Sequence, residues 1–172
     1  MVDLAVDLAR RYRFSTQFTQ MAISDFLDSD WTFTPERGGN HATWMIAHLA
    51  FSRRTLARML GADIAKADWE AKVVMGVASE PANNYPSPGE MLEDFQETGR
   101  ILDNKLTEGS AEELNKSLEK PFPDGSETVL QAVGFMYMHE SYHIGQLGYI
   151  RRLLGKPSIE KILMKAMAGQ QS

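Results

Sequence analysis

The sequence predicts an all-α protein, a bundle of four substantial helices followed by a short extra helix at the C-terminus. Three observations support this fold class. Apolar residues recur at steps of three and four over four long segments, which is the period of one helix face. Residues that commonly cap helices stand at the ends of these segments. The chain also lacks convincing runs of alternating apolar and polar residues, which would indicate strands.

The first two helices occupy the N-terminal third of the chain. The first is predicted over residues 3–27, where two apolar stripes indicate burial on more than one side. Residues 28–39 then break the pattern with a Thr-Pro and a Gly-Gly pair. The second helix is predicted over residues 40–60, with Asn40 as its N-cap and Gly61 ending it.

The middle of the chain holds its least regular segment and its clearest helix start. Residues 61–86 show no clear apolar period, so we expect a loop with a helical turn that lies over the mouth of a site. The third helix is predicted to begin after Ser87, because Ser87 and Glu90 form a capping box with a proline at the first helical position. Gly109 ends this helix, and Ser110 starts a short helix by the same capping pattern.

The fourth helix carries the most informative side chains. It is predicted over residues 126–154, which contain no proline, and a Gly-Lys-Pro sequence ends it. A short amphipathic helix is predicted over residues 158–168. His139 and His143 fall on the apolar stripe of the fourth helix. Because they are four residues apart, they point the same way about 6 Å apart along the axis, which suits a shared metal ion.

Composition limits the class of protein. The 172 residues fit a single domain over residues 1–172, and 43% hydrophobic and 24% charged residues are typical of a soluble globule. A net charge of −5 without a basic stripe disfavours nucleic-acid binding. The absence of cysteine excludes disulfides, thiolate nucleophiles and cysteine zinc sites. No signal peptide or membrane-spanning run is apparent, so we expect a cytoplasmic protein without membrane contact.

A metal site is the functional prediction that these residues favour. His48 lies on the apolar face of the second helix, and bundles build metal sites from facing helices, so we expect it to join His139 and His143. Three neutral imidazoles leave the ion its charge of +2 and open coordination positions, as in catalytic sites. Such an ion acidifies water or holds an anionic thiolate or carboxylate. The ligands suit Zn, Ni, Fe or Mn and do not choose among them.

An alternative is that these residues are packing histidines, hydrogen-bonded inside the core. His41 is the fourth histidine, seven residues before His48 and about 10 Å from it along the axis. It cannot share an ion with His48 on a straight helix, so we expect it at the surface or behind the ligands.

Residues 139–143 also match H-E-x-x-H, the zinc-peptidase motif, in which Glu140 would be the general base. The longer protease pattern is not met, since Gly145 stands one position early and no histidine follows it. A peptidase is therefore the least favoured alternative. Glu140 lies about 100° round the helix from His139, so we expect it to flank the site.

Two further side chains complete the candidate set. Trp44 flanks the His48 face and is predicted to be a core aromatic that could also shape a pocket. Gln146 lies nearly one turn beyond His143 and is predicted to orient a ligand histidine. No residue is assigned as the catalytic base.

Three segments, in this order and at this spacing, resemble the DinB-like (YfiT-like) superfamily. They are Ile46-Ala47-His48-Leu49-Ala50, His139-Glu140-Ser141-Tyr142-His143-Ile144-Gly145-Gln146-Leu147 and Arg151-Arg152-Leu153-Leu154-Gly155. The resemblance covers most of the chain, and its strongest part is the H-x-x-x-H-x-G-Q stretch. The helix beyond Gly155 is a departure from the family pattern.

The resemblance implies an up-down four-helix bundle that binds a divalent metal, commonly nickel or zinc. His48, His139 and His143 would be the ligands, and a homodimer is the expected assembly. Some members are thiol-dependent transferases or isomerases that use a low-molecular-weight thiol. The chain is thus expected to be a metal-dependent transferase, isomerase or hydrolase acting on a small molecule. The alternative is a non-catalytic protein that binds a metal or small ligand.

Overall fold

Four long helices form the body of the molecule. The computed structural model describes residues 3–169, and its helices in chain order are α1 (Leu4–Ile23), α2 (Asp28–Trp31), α3 (Ala42–Met59), α4 (Pro88–Glu108), α5 (Ala111–Leu114), α6 (Val129–Leu153) and α7 (Ile159–Gly169). Helices α3 and α1 each pack against α4 and α6, and α7 packs against α1. The predicted all-α bundle with an extra C-terminal helix is confirmed. No helix between residues 3 and 169 is long and apolar enough to cross a bilayer.

Helix α3 begins one residue later than predicted, with His41 rather than Asn40 as its N-cap. The Nδ1 atom of His41 accepts a hydrogen bond from the backbone N–H of Trp44 at 3.1 Å. The Nε2 atom donates to the carbonyl oxygen of Glu80 at 2.8 Å. The side chain is buried, so the expected surface position of His41 is wrong, because its ring closes the helix end and also holds the following loop.

The other predicted helix boundaries hold to within a few residues. Ser87 and Glu90 form the predicted capping box of α4, and Ser110 and Glu113 form that of α5. Helix α6 starts three residues later than expected, because Thr128 is its N-cap. The first predicted helix ends early at Ile23 and is followed by the separate helix α2.

Contacts between the helices fix their directions. The hydroxyl of Tyr12 donates to the carbonyl oxygen of Val133 at 3.0 Å, and Arg151 donates to the carbonyl oxygen of Ala22 at 2.8 Å. Early residues of α1 thus meet early residues of α6, and late residues meet late ones. Helices α1 and α6 therefore run parallel. Residues Ala22 and Ile23 at the end of α1 share an apolar cluster with residues at the start of α3, so α3 runs antiparallel to both.

The α3–α4 connection, residues 60–87, runs back along α3 before α4 begins. Its residue Val73 meets His48, and its later residue Glu80 meets His41, so it advances towards the start of α3. This return explains why the connection is long, and why α4 then runs parallel to α3. The directions of these two consecutive helices therefore do not alternate as the expected up-down arrangement requires. The predicted loop with a helical turn is confirmed, and it contains two 3₁₀ turns, Asp68–Lys72 and Ala82–Asn84.

A buried carboxylate anchors the connection to α3. Glu70 accepts hydrogen bonds from Arg54 Nε at 2.7 Å and from Arg58 Nη2 at 2.7 Å. Desolvation by burial raises the pKa of Glu70, but its bonds to Arg58 and Arg54 outweigh that and leave the pKa below its usual value. The carboxylate is thus charged at neutral pH and fixes the 3₁₀ turn beside the C-terminal half of α3.

The core has two apolar clusters, one at each end of the bundle. Buried polar residues separate the two clusters along each long helix. They are Ser15 and Thr19 on α1, His48, Ser52 and Arg53 on α3, Thr98 on α4, and Glu140 and His143 on α6. The bundle therefore contains a polar layer in its middle, and this layer holds the candidate site.

Candidate metal centre

Three histidines from two helices meet in the polar layer. His139 Nε2 lies 3.1 Å from His48 Nε2 and 3.2 Å from His143 Nε2. One nitrogen of each ring lies within 4.8 Å of the corresponding atoms of the other two. Tetrahedral Zn²⁺ with Zn–N distances of about 2.0–2.1 Å separates its nitrogen ligands by roughly 3.3 Å. The spacing of the three rings therefore fits a shared divalent cation.

Burial keeps these rings neutral. His48 and His143 are buried and His139 is half-buried. Desolvation lowers the pKa of His48 and of His143 from 6.5 to about 4, and it also lowers the pKa of His139. The neighbouring imidazoles add to the lowering for His48 and His143. Neutral imidazole is the form that binds a metal, so the environment prepares the rings for one.

The outer nitrogens of two rings are held in one tautomer. His48 Nδ1 donates to the carbonyl oxygen of Val73 at 2.6 Å, and His143 Nδ1 donates to Gln146 Oε1 at 2.8 Å. Because both partners are acceptors, the proton sits on Nδ1 and the Nε2 lone pair faces the cluster. Gln146 thus contacts the ring that the sequence predicted it to orient. His139 Nδ1, by contrast, is a buried atom with no hydrogen-bond partner.

Aromatic side chains surround the cluster. The indole of Trp44 stacks on the His48 ring, with centroids 4.7 Å apart and planes 8° apart. Phe51 lies against the same imidazole at 6.3 Å, and Tyr142 meets His143 edge-on at 5.1 Å. Trp44 is buried and its Nε1 has no hydrogen-bond partner. These rings limit the access of water and hold the His48 imidazole in place.

The carboxylate of Glu140 is held in an ion pair and makes no hydrogen bond to the histidines. Arg53 donates to Glu140 from Nε at 2.9 Å and from Nη2 at 2.6 Å, and Ser15 Oγ donates to the same carboxylate. Both side chains of the ion pair are buried. Since both carboxylate oxygens are engaged, neither is free to take a proton from water near the histidines.

Sequence reasoning missed two groups that shape this region. Arg53 is a charged residue on a buried helix, and only its partner across the bundle explains its burial. The carbonyl of Val73 is a backbone atom, so no side chain indicates its role. Arg53 lies five residues after His48, about 140° round the helix, and closely follows the largely apolar residues 42–51. A charge in that position is the one indication that the sequence offers.

Comparison with known proteins agrees with the geometry. A family model described as the DinB superfamily matches residues 11–147, which include all three histidines. A search of curated proteins finds no match. Because the family model covers most of the chain, the assignment rests on the whole bundle rather than on a short motif. The chain belongs to the DinB superfamily.

Proposed function

We propose that this protein binds a divalent metal ion through His48, His139 and His143 and uses it in chemistry on a small molecule. The observation that carries the proposal is the convergence of three Nε2 atoms, with 3.1 and 3.2 Å between neighbours. Two of the three rings are fixed with their lone pairs directed inwards. The lone pairs of His48 and His143 converge at His139, whose ring can donate only one proton, so a shared cation would satisfy both.

A thiol-dependent transferase or isomerase, or a hydrolase, is the proposed reaction class. When bound, the ion would lower the pKa of a thiol or water, or hold an anionic group of the substrate. Val73 and Gln146 would orient two of the ligands, and such partners commonly change metal affinity. Trp44 and Phe51 would exclude water. Nickel or zinc is the proposed ion, with iron or manganese also compatible with three imidazoles.

The partners follow from the family resemblance and the sequence. We propose a low-molecular-weight thiol or another small molecule as the substrate and a homodimer as the assembly. A cytoplasmic location and the absence of nucleic-acid partners remain predictions from composition. The catalytic base remains unassigned.

A non-catalytic metal- or ligand-binding protein is the second candidate. One observation favours it, namely that the carboxylate nearest to the ligands in sequence, Glu140, is tied to Arg53 and Ser15. The same contacts weigh against a zinc peptidase, because that chemistry needs Glu140 as a free general base.

Elemental analysis of untagged protein tests the proposal. We expect one equivalent of metal in the parent protein and none in His48→Ala. His41→Ala is the matched control, because it removes a histidine from the start of the same helix without touching the cluster, so it should keep the metal. Equal metal in the parent protein and His48→Ala would refute the proposed ligand set.

The absorption of the cobalt form then separates the two candidates. An enzyme with an open position should change its visible spectrum when a small thiol is added, since thiolate replaces a solvent ligand. A spectrum that no thiol or anion changes would favour the non-catalytic protein.

A further inference from the structure

A cavity of about 770 Å³ lies between α3 and the α3–α4 connection. Its uncharged lining comes from both sides. Phe51, Thr55 and Met59 contribute from α3, and Ala67, Ala71 and Val74 contribute from the connection. The volume lies within the range of about 300–1,000 Å³ that is typical of small-molecule sites.

Each wall of the cavity has one residue close to His48, which does not itself line the cavity. On the helix side, the Phe51 ring that lines the cavity also lies 6.3 Å from the His48 ring. On the other side, Val74 follows Val73, whose carbonyl oxygen accepts from His48 Nδ1 at 2.6 Å. The rise of a helix places Phe51 about 4.5 Å and Met59 about 16 Å beyond His48 along the axis. The cavity thus extends away from the histidines along one face of α3.

The charges of the cavity leave its middle apolar. Arg58 and Glu70 both line it, but they bond each other at 2.7 and 3.1 Å, so neither offers a free charge to a ligand. Lys66 and Asp68 also line the cavity, and both side chains are exposed to solvent. The end of the cavity nearer to His48 is therefore apolar, and its unpaired charges, Lys66 and Asp68, are those exposed to solvent.

We propose that this cavity holds the extended apolar tail of a small molecule whose head group binds at the three histidines. The inference rests on the proposed function and adds a substrate class to it, a compound with a metal-binding head and an alkyl or acyl chain. Phe51 is the wall that the head site and the tail site share. Thr55 lies about 10 Å along the axis from His48 and faces the middle of the tail.

A series of thiols of increasing length tests the inference. The cobalt-loaded protein is titrated with mercaptoethanol, mercaptohexanol and mercaptoundecanol, and the thiolate-to-cobalt absorption gives each affinity. Each methylene that leaves water is worth about a fourfold gain in affinity. We expect mercaptohexanol to bind at least about tenfold more tightly than mercaptoethanol, allowing for imperfect burial of its chain.

Two matched variants locate the effect. Thr55→Phe fills the cavity, so the ratio of the mercaptohexanol and mercaptoethanol affinities should fall to near one. Thr107→Phe makes the same chemical change at an exposed position of α4 that does not line the cavity, so it should keep the ratio of the parent protein.

The possible failures are distinguishable. A cobalt spectrum that changes with every thiol, but with the same affinity at each length, would overturn the tail site and leave the proposed function standing. If affinity still rises with thiol length in Thr55→Phe, the tail site would likewise be overturned and the proposed function would stand. A spectrum that no thiol changes would overturn both.

Discussion

Two polar groups are buried between α3 and α6, and they differ in how fully their hydrogen bonds are made. Arg53 and Glu140 form a group in which both carboxylate oxygens accept from Arg53 or Ser15. The remaining guanidinium N–H groups reach Thr16 and backbone carbonyls. The histidine group, by contrast, has three Nε2 atoms facing one another and leaves His139 Nδ1 without a partner.

This difference separates a structural group from a functional one. Buried polar groups are normally fully hydrogen-bonded, so an unsatisfied cluster calls for a further explanation. Arg53 and Glu140 satisfy each other and need nothing from outside the chain. His48 and His143 both direct a lone pair at His139, which has one proton to donate, so at least one lone pair is left for a bound cation to receive. The two groups should therefore respond in opposite ways when one member is removed.

The largest effect is expected from His139→Ala. This change removes a ligand that makes no other strong hydrogen bond, so the variant should lose its stoichiometric metal. The metal-free protein should lose no more than about 1.5 kcal/mol of stability, because His139 Nδ1 has no partner and its Nε2 makes at most one hydrogen bond to a neighbouring imidazole. Elemental analysis and urea denaturation of the metal-free form measure the two quantities. A variant that retains one equivalent of metal would remove His139 from the site.

The next largest effect is expected from Glu140→Ala. This change should lower the free energy of unfolding and leave metal binding unchanged. It leaves the buried Arg53 without its counter-charge, which typically costs about 3–5 kcal/mol. Urea denaturation measures the loss in free energy of unfolding. Glu93→Ala, at an exposed position of α4, should change stability by no more than about 0.5 kcal/mol. Equal stability of the two variants would mean that the Arg53–Glu140 group is not structural.

A smaller effect is expected from Gln146→Ala. Loss of the acceptor for His143 Nδ1 should lower metal affinity by roughly 10- to 100-fold, as for other partners of ligand histidines. Competition with a chelating dye measures the affinity. Gln146→Glu keeps an acceptor and should retain most of the affinity. Tyr142→Phe, which removes only the hydroxyl that Gln146 Nε2 contacts, should have little effect.

The mildest test is the pH dependence of the metal-free protein. The pKa of His48 and of His143 is near 4 in the folded chain and 6.5 in the reference state. Between these values the unfolded chain binds more protons, so stability should fall as the pH falls from about 6.5 to about 4. Urea denaturation at several pH values across this range measures the loss of stability. The double variant His48→Ala, His143→Ala should have a shallower slope, and an unchanged slope would contradict the lowered pKa values.

Much of the fold could be predicted because its determinants are local. Apolar periodicity indicated the long helices, and the Ser87–Glu90 capping box located the start of α4. The i, i+4 spacing of His139 and His143 showed that they share a face, and the apolar position of His48 indicated that it turns inwards. These patterns need only the geometry of a helix.

The rest depends on contacts across the bundle. His41 was not recognised as an N-cap, because its role relies on Glu80 in a distant loop as well as on Trp44. Glu140 was expected to flank the histidines, but the sequence did not reveal the ion pair with Arg53 that holds its carboxylate. The acceptor for His48 is a backbone carbonyl, and its position depends on how the whole α3–α4 connection folds back.

That connection also shows where the chain can change in length. His41 and His48 stand about 10 Å apart on α3 and hold the carbonyls of Glu80 and Val73. Only about three extended residues are needed to cover such a span, whereas seven steps of chain separate the two carbonyls. Residues 75–79 therefore contain slack, and Met75 is 94% exposed within it. Deletions and insertions among relatives should gather in this stretch, because it can shorten or grow while both anchors stay in place.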